Sequence, residues 1–377
     1  MIFQLLLLVS LVVDDSLCTI RFTVKVPDYT PEDNLYIASN YNGWNPGDPG
    51  YRMNRTADGS YQISITVPKN FRLEYKFTRG SWITVEKGIS GEEIPNRIIQ
   101  VIKDTALEIE IGNWRDFVEK AVKSHTITGN VQVIEFESRF LKYYNPRRIW
   151  IYLPPDYSSS KKTYSVLYMQ DGQNLFDEFE SFAGEWNIDE TLERMHSESG
   201  FSLIVVGIEN AREHRIEEYS PYLNKQLEQG GQALDYINFI VRELKPYIDS
   251  TYRTKHNDTG ILGSSLGGLV SIFAGYIYPQ VFKKVGSMSG AFWFNPDIVS
   301  LVADSKATPE KIYIDYGLLE GDDPERYIKG NELICEAILK SGVRNSNLMV
   351  VKDPEGVHHE SSWAKRFGTV VQFLFKN

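Results

Sequence analysis

Between Thr19 and about Trp114, apolar residues recur at every second position. Ile20, Phe22, Val24 and Val26 face one way, and Arg21, Thr23 and Lys25 the other. The period returns in Tyr61, Ile63, Ile65 and Val67, in Leu73, Tyr75 and Phe77, and in Leu107, Ile109 and Ile111. A period of two belongs to strands buried on one face. Turn formers separate the runs: Asn42-Gly43, Pro46 to Gly50, and Asp58-Gly59. No long amphipathic helical pattern interrupts them. The pattern predicts a small antiparallel β-sandwich.

After a polar stretch near Glu119 to Asn130 the pattern changes. Apolar blocks stand at IWIYL (149–153), SVLYM (165–169), SLIVVGI (202–208), GILG (260–263), KIYIDYG (311–317) and LMVV (348–351). Helical runs fall between them: NIDETLERM (187–195), ALDYINFIVRELKPYI (233–248) and LICEAIL (333–339). Alternating strands and helices predict a mostly parallel sheet with helices on both faces. The expected organisation is a sandwich over 19–115, a linker over 116–127 and an α/β domain over 128–377.

The opening MIFQLLLLVSLVV, followed by Asp14 and Asp15, is too short to span a membrane as a helix. It is read as part of an export signal over residues 1–18, which implies a secreted or periplasmic protein. The formal net charge of −10 gives no attraction for a phosphate backbone, so nucleic acid is not an expected partner. Cys18 and Cys335 are the only cysteines, which excludes a disulfide framework and a thiolate metal site. Cys335 shares helical spacing with Ile334 and Ile338 and reads as a core residue. No metal or cofactor is expected.

Gly263-Ser264-Ser265-Leu266-Gly267 is a G-x-S-x-G stretch between the apolar Ile261-Leu262 and the helical LGGLVSIFAGYIY. That setting marks a nucleophile elbow. The serine sits on a sharp strand-to-helix turn whose neighbours must be small, and the helix N-terminus favours developing negative charge. Ser265 is the candidate nucleophile. In the chain order of this fold the acid and the histidine follow it, which leaves His358 and His359 as bases. Glu320, Asp322 and Asp323, after the KIYIDYG strand, are candidate acids, while Asp315 lies inside the strand. The backbone N–H of Leu266 and that of Gln173, in the turn after SVLYM, are the candidate oxyanion donors.

With these residues in view, the chain from about 128 resembles the esterase family of α/β hydrolases that includes feruloyl, acetylxylan and enterochelin esterases, S-formylglutathione hydrolase and the antigen 85 acyltransferases. The resemblance is carried by Tyr168 to Asp177, Gly260 to Pro279, Gly286 to Trp293, Ile312 to Asp323 and Gly356 to Trp363. It implies Ser265 as nucleophile, Glu320 as acid, His358 as base (five residues before Trp363), and Gln173 and Leu266 as hole donors.

Residues about 19–112 resemble a family 20 carbohydrate-binding module. The carriers are Tyr41 to Pro46, Leu73 to Phe77, Trp82 with Glu86, and Ile94 to Arg97. This implies that Trp44 and Trp82 stack on glucose units, while Lys76 and Asn96 bond their hydroxyls. Together the resemblances imply a serine carboxyl-ester hydrolase acting on a carbohydrate-linked acyl ester, with a starch- or glucan-binding module. Acyl transfer of the antigen 85 kind and a non-catalytic glucan-binding protein are the alternatives.

Overall fold

The computed structural model describes residues 16–32, 34–117, 124–182, 184–225, 227–321 and 323–376. The residues expected to form the export signal therefore lie mostly outside the described ones, as does Asp322. The chain divides into two compact units, residues 1–122 and 123–377.

In the first unit, Leu17–Lys25 sits between Tyr61–Pro68 and Thr105–Glu110, and Asn54–Arg55 extends this sheet to four strands. A three-stranded sheet orders Tyr36–Ser39, Phe71–Thr78 and Arg97–Val101. Ile20, Phe22, Val24, Val67, Leu73 and Phe77 are the buried halves of alternating strands and share one core with Trp114. Two expectations are corrected. Thr105–Glu110 runs parallel to Leu17–Lys25, so the sandwich is only mostly antiparallel. The first strand also begins at Leu17 and buries Cys18, two residues before the expected start.

The second unit is built on one sheet of eight strands: β1 (Asn130–Phe136), β2 (Arg147–Leu153), β3 (Tyr164–Gln170), β4 (Ile204–Ile208), β5 (Thr254–Ser264), β6 (Lys284–Met288), β7 (Lys311–Gly317) and β8 (Leu348–Asp353). Their spatial order is β1-β2-β4-β3-β5-β6-β7-β8. β1 and β2 are antiparallel to their neighbours, and the other pairings are parallel. Along β2 and β3 successive side chains enter opposite cores. Ile149, Ile151, Val166 and Tyr168 face one, while Trp150, Tyr152, Leu167 and Met169 face the other. Both faces are thus covered, which explains why these strands read as unbroken apolar runs.

The helices that matter for the site are α1 (Ile188–Ser199), α2 (Leu266–Ile277), α3 (Pro324–Lys340) and α4 (Glu360–Phe375). The predicted helix over 233–248 is observed as Ala233–Thr251 with one π-turn, Ile240–Leu244. β1 and β6 have no counterpart among the predicted strands. β1 is an edge strand whose alternation is broken where the exposed Val133 adjoins Ile134. β6 carries Gly286, packed against the Leu262 side chain, and a glycine inside a strand weakens its signal.

Candidate active site

The candidate residues of this unit lie on loops after the C-terminal ends of β3, β5, β7 and β8, where parallel α/β sheets place their chemistry. β5 ends at Ser264 and α2 starts at Leu266, so Ser265 alone makes the turn, at φ 57° and ψ −123°. That conformation costs on the order of 1–3 kcal/mol and persists only where the surroundings enforce it. Here they do. The Ser265 N–H donates to Met288 O (2.9 Å), and Ser265 O accepts from Gly268, Leu269 and Ala291 (3.1, 3.1 and 3.0 Å). A Cβ on Gly263 would lie 2.6 Å from the Gly267 carbonyl carbon, so a side chain there would collide with backbone. Ser265 is half-buried in a stretch whose residues from Ile261 to Tyr276 are otherwise buried.

The Ser265 hydroxyl lies 2.9 Å from His358 Nε2, and His358 Nδ1 lies 2.7 Å from Glu320 Oε2. A carboxylate accepting from Nδ1–H fixes the tautomer and leaves Nε2 free to accept the serine proton. Glu320 is fully buried. Its other oxygen accepts from the Gly317 N–H (2.6 Å) and from the Ser289 hydroxyl. Such donors offset the desolvation of a buried carboxylate. Ser289 Oγ in turn accepts from the Trp363 indole N–H (2.8 Å), and the Trp363 ring meets His358 edge-on at 5.1 Å. Tyr327 packs on the other part of the imidazole at 4.7 Å.

The remaining acids and the second histidine have other partners. Asp315 is fully buried in β7 and pairs with Arg366 through two 3.0 Å bonds. Burial pushes its carboxyl upward, against the guanidinium. The Asp323 side chain caps α3 by accepting from Arg326 N (3.2 Å). His359 caps α4, where Nδ1 accepts from the Ser361 N–H at 3.1 Å.

Leu266 is the first residue of α2, so its N–H has no partner within the helix. Gln173 lies in the turn Gly172–Asn174, whose first bond runs from Asn174 N to Asp171 O (2.9 Å) and leaves the Gln173 N–H outside it. This turn abuts the elbow, since a Cβ on Gly267 would lie 3.2 Å from Gln170 Cβ and 3.4 Å from Asp171 Oδ2. Asp171 takes a left-handed conformation (φ 57°). Its carboxylate accepts from Arg215 Nε and Nη2 (2.7 and 2.8 Å) and from Asn210 Nδ2 (2.7 Å). Arg215, in the polar stretch between β4 and the helix at Ala233, thus supplies a cation that anchors the turn. Ser289 and Asp171 lie in stretches that carry the resemblance, but their roles, like those of Tyr327 and Arg215, were not readable, because their partners are distant along the chain.

In the first unit Trp44 and Trp82 lie side by side, ring centroids 6.3 Å apart and planes at 41°, both half-buried. Lys76 is half-buried and donates from Nζ to Ile94 O (2.5 Å), and its desolvation lowers the ammonium pKa. Asn96 is half-buried. Glu86 is fully buried, bonded to Phe77 N (2.9 Å) and Arg97 (2.9 Å), so it supports the sandwich.

Comparison with known proteins places this geometry in context. Residues 143–374 match the family described as "Putative esterase". The uncharacterized protein YbbA of Bacillus subtilis is 27% identical over 242 residues, covering 61% of this chain and 92% of that one. An alpha-amylase of Niallia circulans is 36% identical over 100 residues of the N-terminal region, 26% of this chain but 8% of the amylase. Among solved structures, the enterochelin esterase of Shigella flexneri shares the fold with a TM-score of 0.53 and 14% identity, over 97% of this chain and 94% of that one.

Proposed function

The chain belongs to the Esterase family, and we propose that it is a serine carboxyl-ester hydrolase in which Ser265, His358 and Glu320 are the catalytic triad. The observation that carries this reading is the continuous hydrogen-bonded path from Ser265 Oγ through the imidazole to a buried carboxylate. Ser265 Oγ attacks the ester carbonyl carbon while its proton passes to His358 Nε2. The new oxyanion is held by the N–H groups of Leu266 and Gln173. The imidazolium then protonates the departing alcohol, leaving an acyl group on Ser265. Water repeats the sequence and releases the acid. Glu320 stays ionised and stabilises the imidazolium.

The substrate is proposed to be an acyl ester on a carbohydrate, with the first unit binding starch or a related glucan through Trp44, Trp82, Lys76 and Asn96. Support comes from the paired tryptophans and from the amylase relationship of that region. The apolar start of the chain is read as an export signal, which fits action on an external polysaccharide.

The test is a serine-directed fluorophosphonate with Ser265→Ala beside it. The wild-type chain should be labelled at Ser265 alone. The variant should lose about 10³-fold or more in kcat on short p-nitrophenyl and feruloyl esters with an unchanged melting temperature. Near-native turnover in the variant would refute the assignment. Product analysis with an added acceptor sugar separates hydrolysis from acyl transfer.

A further inference from the structure

Outside the triad, three carboxylates converge on the loop that follows the Gly172–Asn174 turn and on the first turn of α1. One oxygen each from Glu185, Asp189 and Glu190 lies within 4.8 Å of the other two. Asp189 is fully buried and Glu185 nearly so, at 7% exposure. Three carboxyls this close and this dry need a cation or a shared proton between them, since burial raises the pKa of Glu185 and Asp189, and here the neighbours worsen the imbalance. Asp177 and Glu178 add their repulsion to Glu185, and Glu190 adds its own to both partners. The nearby imidazole, His125, bonds Asp177 (2.7 Å) and not the three.

A second observation is independent of the charge count. Glu185 Oε1, Asp189 Oδ1 and Glu190 Oε2 are all buried and meet no donor among the described residues, while Asp189 and Glu190 stand within hydrogen-bonding reach of each other. The companion oxygens of Glu185 and Asp189 are satisfied. Glu185 Oε2 accepts from the Thr126 hydroxyl (2.8 Å), and Asp189 Oδ2 accepts from Thr128 N (2.6 Å). Thr126 and Thr128 thus hold one oxygen each of Glu185 and Asp189, and each of the three carboxylates keeps one bare buried oxygen. Each such buried acceptor destabilises the fold, more when charged, if nothing meets it.

We propose that Glu185, Asp189 and Glu190 form a binding site for a divalent cation of the calcium type. The donors are all oxygen, which is the preference of a hard cation and excludes the thiolate or imidazole sets of zinc and copper. Three carboxylates on a loop and a helix start also suit calcium, which tolerates irregular geometry better than magnesium. The ion would join three segments: Thr126–Thr128 just before β1, the loop around Glu185, and α1. That loop continues into Trp186, which packs against Trp363 at 5.6 Å, and Trp363 contacts the imidazole of His358. Gly184 lies beside His359 and Glu360, where a Cβ would be 3.4 Å from the His359 ring. The cation would thus brace the wall behind the catalytic histidine without touching substrate. It goes beyond the hydrolase reading and does not depend on it.

The test uses the full chain, stripped with a chelator and dialysed, titrated with CaCl₂ alone and with MgCl₂ for comparison. Calorimetry should show a saturable site with about one Ca²⁺ per chain. The melting temperature should rise with calcium as mass action on the folded state requires, by about 2.7 kcal/mol of stability at a hundredfold excess over Kd. Glu190→Gln, at the least buried of the three positions, should keep the fold and abolish both effects. Asp189→Asn gives a second, independent loss. No calcium uptake and no thermal shift in the stripped chain would overturn the proposal. So would calcium binding that survives both substitutions. A chain stabilised by Glu190→Gln yet indifferent to calcium would show that the cluster is a proton-sharing group, which also overturns it.

Discussion

His358 and His359 are adjacent in the chain and stand in unlike settings, because one ring is held between a serine hydroxyl and a buried carboxylate and the other closes a helix. His358 bonds Ser265 and Glu320 and is wedged by Trp363 and Tyr327. His359, in an extended conformation, bonds the Ser361 N–H at the start of α4. His358→Ala should therefore lower kcat by about 10³-fold or more, and His359→Ala by less than about tenfold with some loss of stability from the missing cap, on the order of 1 kcal/mol. Steady-state rates and melting curves of the two purified variants check this. A larger kcat loss at His359 would contradict it. Glu320→Gln should cost roughly 10²–10⁴-fold in kcat with KM little changed, because the amide cannot hold the same tautomer. Asp323→Asn should leave kcat near wild type, since Asp323 caps α3. From chain order alone the two histidines and three acids remained open. Caps and buried hydrogen bonds separate them, and neither leaves a mark in the linear sequence. The elbow serine was legible because its constraint is local: a strand, a turn and a helix within a few residues.

At the scale of elements, the site depends on how closely its loops approach one another. A Cβ on Gly172 would lie 2.7 Å from Gly207 C and Ile208 N, so the Gln173 turn lies directly on the backbone of β4. Gly317 and Gly356 meet in the same way, with a Cβ on Gly317 only 2.1 Å from Gly356 O, which joins the loop of Glu320 to the loop of His358. Both obstacles are backbone atoms, which cannot rotate away. Gly172→Ala should destabilise the chain by about 1–3 kcal/mol. It should also lower kcat more than KM changes, by displacing a proposed oxyanion donor and not the substrate-binding walls. Denaturant unfolding and initial rates on one preparation test this. A variant that unfolds earlier yet keeps wild-type kcat at 25 °C would remove Gln173 from the site. Strand and helix positions were legible where both cores demand apolar runs, as in β3, β4 and β7. The parallel entry of Thr105–Glu110 beside Leu17–Lys25 was not, because alternation reports which face is buried and carries no direction. The carboxylate cluster was hidden for a related reason, since Thr126 and Thr128 meet Glu185 and Asp189 only after some sixty residues of intervening chain.

At the scale of the whole molecule, two units with separate cores make the two proposed activities separable. The first unit closes its own core around Phe22, Phe77 and Trp114, and the second contains every member of the proposed triad. The first unit also presents Trp44 and Trp82 as neighbouring half-exposed rings. Trp44 sits at φ 59°, an unfavourable backbone for a bulky residue, held by its N–H to Ser39 O (2.7 Å). Under the proposed glycan binding, a sugar ring would lie on the exposed parts of these two rings. Calorimetry should therefore detect maltoheptaose and β-cyclodextrin binding by residues 16–117 alone, and by the full chain with a similar constant. Affinity should be modest, because a shallow platform gains stacking and few hydrogen bonds. Trp44→Ala should weaken it by about fivefold or more, corresponding to about 1 kcal/mol or more of stacking. Lys76→Ala should have the smaller effect on binding, since its ammonium already donates to Ile94 O. None of these changes should alter kcat on small soluble esters. Heat from xylan fragments but from no α-glucan would move the glycan specificity to another polysaccharide. Silence with every glycan would leave the first unit without a binding role and confine the chemistry to the ester alone.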